Sequence, residues 1–131
     1  MTGDEVYLDL EDIIRIHGLI FRIDPSQARD QLRDPAALES ALGRPLNHAS
    51  YQGADLAAQA AVLAHGVAQS QSFLDGNKRT ALIAMTTFLA LNGWDVALPE
   101  SRLAEIMLGF AHGVAPDQIA PELRQSLTAR H

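Results

Sequence analysis

The residues from Gln71 to Thr80 form the densest polar cluster of the sequence, and their types suit phosphate chemistry. Gly76 stands just before a predicted helix, so the backbone N–H groups at that helix start can approach an anion closely. The positive end of the helix dipole favours phosphate there, and Lys78 and Arg79 add cationic donors. This spacing predicts a cradle for the phosphates of a nucleotide.

The other side chains of the cluster extend that interpretation. Asp75 is the one carboxylate in the stretch, and a lone carboxylate beside phosphates is a usual way to hold Mg²⁺. Asn77 can offer its amide to a phosphate oxygen, whereas Phe73 suits an apolar anchor for the loop. A plain interhelical turn with solvated charges explains the same residues equally well, because similar turns are common. The short glycine loop also lacks the spacing of a P-loop.

Hydrophobic spacing predicts the helices that position this cluster. An alanine-rich helix from Asp55 to about Ala68 should precede it, and an apolar helix from Thr80 to Leu91 should follow and form the buried centre. Asp9 can cap a first helix that ends before Pro25.

The remaining segments are read from their turn residues. Asp24-Pro25-Ser26 reads as a turn, and a short helix opened by Pro35 should be broken by Gly43 and Pro45, which leaves Arg44 to Gly53 as a loop.

Towards the end of the chain we expect three elements, the last of them delayed or kinked by Pro121: a short extended piece from Trp94 to Leu98, a helix from Pro99 to Ala111, and a helix within Pro116 to Leu127. The sum is an all-α chain of five or six helices in one domain over residues 1–131.

Composition excludes several classes of function. The formal net charge of -6 and the lack of a basic run argue against direct binding of nucleic acid. Without cysteine there is no disulfide, thiolate zinc site or cysteine nucleophile. Met1 to Glu11 lacks the features of a signal peptide and no stretch approaches the length of a membrane span, so we expect a cytoplasmic protein.

The run from Phe73 to Leu82 resembles the active-site signature of the death-on-curing (Doc) branch of the Fic family. That signature is histidine, any residue, phenylalanine, any residue, aspartate, glycine or alanine, asparagine, lysine and arginine, and the resemblance extends over essentially the whole chain. It implies a Fic fold, a compact bundle of about six helices, with a Mg-ATP site. There Asp75 would hold Mg²⁺, and the phosphates would be held by Gly76, Asn77, Lys78 and Arg79.

Two positions distinguish the Doc branch from Fic proteins that transfer AMP. Those relatives have glycine at the place of Lys78 and a second arginine at the place of Leu82. In the Doc branch the nucleotide binds the other way round, and the terminal phosphate is transferred to a threonine of elongation factor Tu, which stops translation. The resemblance therefore implies a protein kinase, controlled by a Phd-type antitoxin whose disordered C-terminal segment folds as a helix on the toxin.

Gln71 stands where the resemblance places the catalytic histidine. A glutamine amide can position a hydroxyl but has no basic site near neutral pH, and losing a general base costs about 10²- to 10⁴-fold in rate. The change is either natural or introduced, and the sequence leaves both open. Two rivals to an impaired kinase follow: a non-catalytic scaffold that still binds antitoxin, and an AMP-transferring enzyme, which Lys78 and Leu82 disfavour.

The other candidates favour structural roles. We expect the histidines to be buried or solvated rather than catalytic, and none has a partner at metal-ligand spacing: His17, His48 in the loop before Gly53, His65, His112 and His131. Arg33, Asp34 and Arg44 flank the segment that lies over the active site in Fic relatives, although helix capping or ion pairing explains them equally well.

Overall fold

A computed structural model describes residues 5–130, so the predictions for His131 and for the first four residues lie outside the described part. Helices dominate the described residues, which confirms the prediction of an all-α protein. They are α1 (Leu10–Phe21), α2 (Pro25–Asp30), α3 (Pro35–Gln52), α4 (Leu56–Ser70), α5 (Asn77–Leu91), α6 (Glu100–Ala111) and α7 (Pro116–Ser126). Across residues 5–130, no helix is both long and apolar enough to cross a membrane.

The first helix forms as its sequence predicts. Asp9 accepts a hydrogen bond from the backbone N–H of Asp12, and the Asp12 carboxylate accepts one from the backbone of Asp9, which completes a capping box. The helix ends at Arg22 in the left-handed conformation, before Pro25 as predicted. Ile13, Ile14 and Ile16 of α1 are buried, so its apolar face packs on the core.

The buried centre is α4 rather than α5, which corrects the prediction for Thr80 to Leu91. Helix α4 packs against α3, α5, α6 and α7, and most of its residues are buried. Helix α5 buries one face, whereas Ile83 and Leu91 remain 39% and 52% exposed. Small side chains explain the difference, since a helix rich in alanine and glycine lets neighbours approach from every side. A β-carbon on Gly66 of α4 would lie 2.9 Å from the Ala41 Cβ of α3.

Helix α3 continues through the residues that were expected to break it. It runs to Gln52 across Gly43 and Pro45, so the predicted loop from Arg44 to Gly53 is wrong and His48 is helical. Proline costs a helix its N–H bond. Here Pro45 is buried and α3 packs closely on α4, and that tertiary packing offsets the cost. The helix ends only at Gly53, which adopts the left-handed conformation with φ of 65°.

A short helix, α2, occupies residues that read as a turn. Asp24 caps it by accepting from the Gln27 backbone N–H at 2.9 Å, and Gln27 Oε1 accepts from the Asp24 backbone N–H at 3.0 Å. Pro25 takes the first helical position, where its missing N–H costs nothing. The sequence therefore carried a capping box that the turn interpretation overlooked.

Pro121 does not delay the start of α7, which begins at Pro116 and continues through Pro121 to Ser126.

The extended piece was correctly predicted: β1 (Trp94–Val96) pairs antiparallel with β2 (Leu127–Ala129), and Trp94 lies opposite Ala129. Helix α6 agrees with its predicted span to within a residue. The β2 partner had no signal in the sequence analysis, because a three-residue strand carries almost no periodicity.

The boundary that matters for function is the start of α5. It begins at Asn77, three residues before the predicted Thr80, and α4 extends to Ser70 rather than about Ala68. Only residues 71–76, the motif loop, remain between them. Lys78 and Arg79 therefore belong to the first turn of a helix, where the dipole favours anions.

Candidate active site

Left-handed backbone conformations mark both ends of the motif loop. Gln71 has φ of 47° and ψ of 41° and caps the end of α4, and Gly76 has φ of 78° just before α5. Within residues 5–130, Arg22 is the other residue besides glycine with a positive φ. Such a conformation costs a non-glycine residue on the order of 1 kcal/mol, so the surrounding contacts must hold Gln71 in place.

Phe73 supplies the main anchor of the loop. Its side chain is fully buried, as predicted for an apolar anchor, and its ring stacks on His17 with centroids 3.8 Å apart and an angle of 6° between the planes. Phe21 also packs against His17, with the two ring centroids 4.7 Å apart. Helix α1 therefore provides the wall against which the loop is seated.

His17 is a scaffold residue, as expected of the histidines. It is fully buried, its Nδ1 lies 3.2 Å from the Thr80 hydroxyl, and its Nε2 lies 2.8 Å from the Gln31 side-chain oxygen. Both ring nitrogens are thus engaged in hydrogen bonds, so His17 has no free nitrogen for a substrate. It joins α1, the segment before α3 and the first turn of α5 behind the motif loop.

Gly76 is required by close approach as well as by its backbone angles. A β-carbon at this position would lie 2.5 Å and 2.6 Å from two atoms of the Phe21 ring. Real side-chain contacts do not approach so closely, and L residues rarely adopt a positive φ. Glycine thus lets the loop lie directly on the aromatic wall before it enters α5.

Asn77 closes the loop through both atoms of its amide. The Phe73 backbone N–H donates to Asn77 Oδ1 at 3.0 Å, and Asn77 Nδ2 donates to the Phe73 carbonyl at 3.0 Å. The side chain therefore turns back into the loop instead of extending outward. One Nδ2 hydrogen is left for a phosphate, and that part of its predicted role stays a prediction.

The segment before α3 forms a second support. Leu32 and Phe73 make an antiparallel bridge, in which the Arg33 N–H donates to the Ser72 carbonyl at 2.7 Å and the Leu74 N–H donates to the Gln31 carbonyl at 3.1 Å. Asp34 caps α3 by accepting from the Ala37 N–H, which confirms the capping interpretation. Backbone pairing thus fixes the start of the motif loop relative to α3.

The outward side of the loop is open. Among residues 5–130, no group accepts a hydrogen bond from the backbone N–H of Asn77, Lys78 or Arg79, and Gly76 provides no side-chain cap. Lys78 and Arg79 are exposed, and neither forms an ion pair within the described chain. Three backbone amides without a partner in residues 5–130 and two exposed cations therefore lie together at the positive end of a helix.

Asp75 lies beside this open helix start. Its carboxylate is exposed and accepts a hydrogen bond from the Gly76 N–H at 2.8 Å, which leaves further lone pairs available. The described residues contain no cluster of three or more potential metal ligands. A Mg²⁺ ion held here would therefore take most of its oxygens from phosphate and water, as Mg²⁺ commonly does.

The similarity of this chain to known proteins includes the motif loop and the helices that hold it. Residues 7–89, which include α1, the motif loop and most of α5, match the model of the Fic/DOC family. The chain belongs to the Fic/Doc family. A toxin Doc of Mycolicibacterium smegmatis is 36% identical to it over 95 residues, which cover 70% of this chain and 68% of the relative. The prediction of a Doc-type Fic protein is thus confirmed, while the correspondence of Gln71 to the family's histidine stays a prediction.

Sequence reasoning missed the residues that lie behind the motif loop. Gln31 and Thr80 had no assigned role, yet together they hold both nitrogens of His17. A polar residue within an apolar helical pattern, such as His17 in α1, was the available signal, because buried polar groups need partners.

His65 is half-buried with its ring edge-on to Phe110, and the two ring centroids lie 5.6 Å apart. Burial, together with the nearby positive charge of Arg44, lowers the pKa of the His65 imidazole.

Proposed function

We propose that this Fic/Doc chain is a Doc-type toxin that transfers the terminal phosphate of ATP to a threonine of elongation factor Tu and so stops translation. The observation that carries the proposal is the start of α5, where three open amides and two cationic side chains surround a glycine entry. Oriented N–H groups and a guanidinium fork are suited to the oxygens of a triphosphate.

The motif loop and the first turn of α5 contribute different groups in this proposal. The amides of Asn77, Lys78 and Arg79 bind phosphate oxygens, and the two cationic side chains offset the charge of the triphosphate. Asp75 holds Mg²⁺, which when bound neutralises charge on the phosphate oxygens. Gly76 and Phe73 act by position only, since the first admits the backbone to the phosphates and the second fixes the loop.

The transfer requires no covalent participation by the protein. The oxygen of the threonine hydroxyl forms a bond to the γ-phosphorus while the bond from that phosphorus to the bridging oxygen breaks, and ADP leaves. The hydroxyl proton passes to water or a phosphate oxygen, because the Gln71 carboxamide is not basic. Gln71 orients the hydroxyl, and the reaction is slow because phosphoryl transfer here relies on positioning and electrostatics alone.

A partner follows from the same family membership. A Doc-type toxin is one half of a toxin–antitoxin pair, and we propose an antitoxin of Phd type whose disordered segment folds as a helix on this protein. Gln71 also supports a second candidate function, in which the chain binds antitoxin without transferring phosphate. AMP transfer is the weakest candidate, because Lys78 and Leu82 differ from the AMP-transferring pattern.

Isotope transfer to elongation factor Tu tests the proposal. The protein and its Gln71→His variant are incubated with Mg²⁺ and ATP labelled at the γ-phosphate, and a parallel arm uses a label at the α-phosphate. We expect γ-label on a threonine, with a rate about 10²- to 10⁴-fold higher in the Gln71→His variant. Gln52→His, which makes the same change at the exposed end of α3, should leave the rate unchanged.

The outcomes separate the candidates. Label from the α-phosphate identifies AMP transfer and rejects the kinase. Absence of label from both proteins, together with tight antitoxin binding and no affinity for Mg-ATP, supports the non-catalytic scaffold instead.

A further inference from the structure

A polar pocket lies between α3 and α4, at the end of α4 next to the motif loop. Its volume is about 520 Å³, and its polar lining comes from Ser40 and Arg44 of α3 and from His65, Gln69 and Ser70 of α4. Ser70 directly precedes Gln71, and α3 starts just after the segment that pairs with Ser72. The pocket therefore ends one residue before Gln71, beside the start of the motif loop.

The pocket carries unused hydrogen-bond donors. Within residues 5–130, Arg44 forms no ion pair and neither Ser40 nor His65 forms a hydrogen bond, whereas Gln69 donates to the Phe110 carbonyl at 2.7 Å. The Arg44 guanidinium lies on the Gly66 side of the pocket, where the lack of a side chain makes room for it. No carboxylate lines this pocket.

The charge balance favours a carboxylate as the occupant. The protein as a whole has a formal net charge of -6, yet this pocket has an unpaired guanidinium and no acid in its lining. One guanidinium matches a carboxylate in charge and fork geometry, whereas a phosphate dianion calls for more than one cation. An imidazole beside the guanidinium gains a hydrogen-bond partner when a carboxylate enters.

We propose that this pocket binds an acidic side chain of the protein substrate, two to four residues from the acceptor threonine, and so selects the segment that is phosphorylated. The inference rests on the proposed function, since the substrate is the protein that presents its threonine at Gln71. The spacing follows from the helix rise: Gln71 lies six positions after His65, about 9 Å further along the axis of α4, and extended peptide covers that length in roughly three residues. Ser40 and Arg44 are specificity residues in this proposal.

Peptide binding in the absence of nucleotide tests the pocket by itself. Threonine-containing peptides that differ only in one residue three positions from the threonine (Glu, Gln or phosphoserine) are titrated into the protein with ¹⁵N-labelled histidine. We expect the Glu peptide to bind about tenfold more tightly than the Gln peptide, and to raise the pKa of His65 when it binds. Arg44→Gln should remove the preference, Arg44→Lys should retain part of it, and Arg15→Gln, a matched change on α1, should leave it intact.

The readouts separate this inference from the kinase. Equal binding of the Glu and Gln peptides overturns it, as does an undiminished preference in an Arg44→Gln variant that is folded by circular dichroism. Tighter binding of the phosphoserine peptide than of the Glu peptide overturns the assignment of a carboxylate. If phosphate transfer fails while the Glu preference and its dependence on Arg44 persist, the pocket stands and the proposed function does not.

Discussion

The two sides of the motif loop contrast sharply in how they are held. On the inner side, Phe73 is fully buried against His17, and both His17 nitrogens and the Asn77 amide are engaged in hydrogen bonds. On the outer side, Lys78, Arg79 and three backbone amides have no partner within residues 5–130. The contrast shows that one short segment can be rigid and still have unused binding capacity, because the groups that fix it are different from those that bind.

Such a division has a mechanistic reason. Donors that already point outward need no reorganisation when a phosphate arrives, which is where electrostatic stabilisation is most effective. The cost of holding Gln71 in a left-handed conformation is offset by the aromatic packing behind the loop. Variants of the inner side should therefore change stability, and variants of the outer side should change ligand binding.

The largest expected effect is that of Phe73→Ala on stability. Removal of a fully buried ring leaves a cavity and ends the stacking on His17, and we expect the free energy of unfolding to fall by about 3–5 kcal/mol. Urea denaturation followed by circular dichroism measures it. Leu74→Ala is the matched control, because Leu74 is 59% exposed, and it should change the value by less than about 0.5 kcal/mol. Equal effects of the two variants would contradict the inner side as the anchor.

Arg79→Ala should have a smaller effect, on the affinity for Mg-ATP rather than on stability. The side chain is exposed and unpaired among residues 5–130, so its loss should change the free energy of unfolding by less than about 0.5 kcal/mol. Affinity for Mg-ATP should fall about 10- to 100-fold, because a charged hydrogen bond to phosphate is lost. Isothermal titration calorimetry with Arg15→Ala as control measures this, and unchanged affinity in Arg79→Ala would place the nucleotide elsewhere.

The smallest effect is expected far from the loop, at the other end of α4. Asp55 caps α4 and forms an ion pair with Arg124 of α7 at 2.5 Å, and both side chains are about half-exposed. Arg124→Ala should cost about 0.2–1 kcal/mol of stability without changing affinity for Mg-ATP. A change in that affinity would show that the loop depends on distant anchors and would weaken the contrast between its two sides.

The pH dependence of that small effect has a definite sign. The hydrogen bond from Arg124 holds the pKa of Asp55 below its ordinary value of 3.8. The folded protein therefore binds fewer protons here than the unfolded chain, so the contribution is complete above pH 3.8 and is lost as the pH falls through the lowered pKa. The difference in unfolding free energy between the protein and Arg124→Ala should accordingly shrink below pH 3.8. A difference that grows on acidification would contradict the assignment.

Local signals predicted a good part of this architecture. Asp9 predicted the start of α1, and the residues from Phe73 to Arg79 identified both the motif loop and the family. These signals are readable because capping and close backbone approach depend on residues near each other in the chain. The anchoring role of Phe73 was predictable for the same reason, as a large apolar residue within a polar loop has few other uses.

What escaped prediction depends on contacts between distant segments. Pro45 ends helices in isolation, yet α3 continues because its packing on α4 outweighs the local cost. The bridge between Leu32 and Phe73 joins segments that share no sequence pattern. The capping box at Asp24 is a different case, because it is a local signal that was misread as a turn. The pocket at Arg44 was not predicted either, because Arg44 was placed at the start of a loop, whereas α3 continues through it and packs on α4.

Binding of Mg-ATP to the open helix start is the most direct test of the central claim. In ¹H–¹⁵N spectra of the protein titrated with Mg-ATP, we expect the largest shift changes at the amides of Asn77, Lys78 and Arg79, and little change at Phe73 or His17. In the control titration, Mg²⁺ and adenosine, which has no phosphate group, should leave the resonances of those three amides unshifted. Saturation by ATP with the shifts located elsewhere, or no binding at all by a folded protein, would contradict the account.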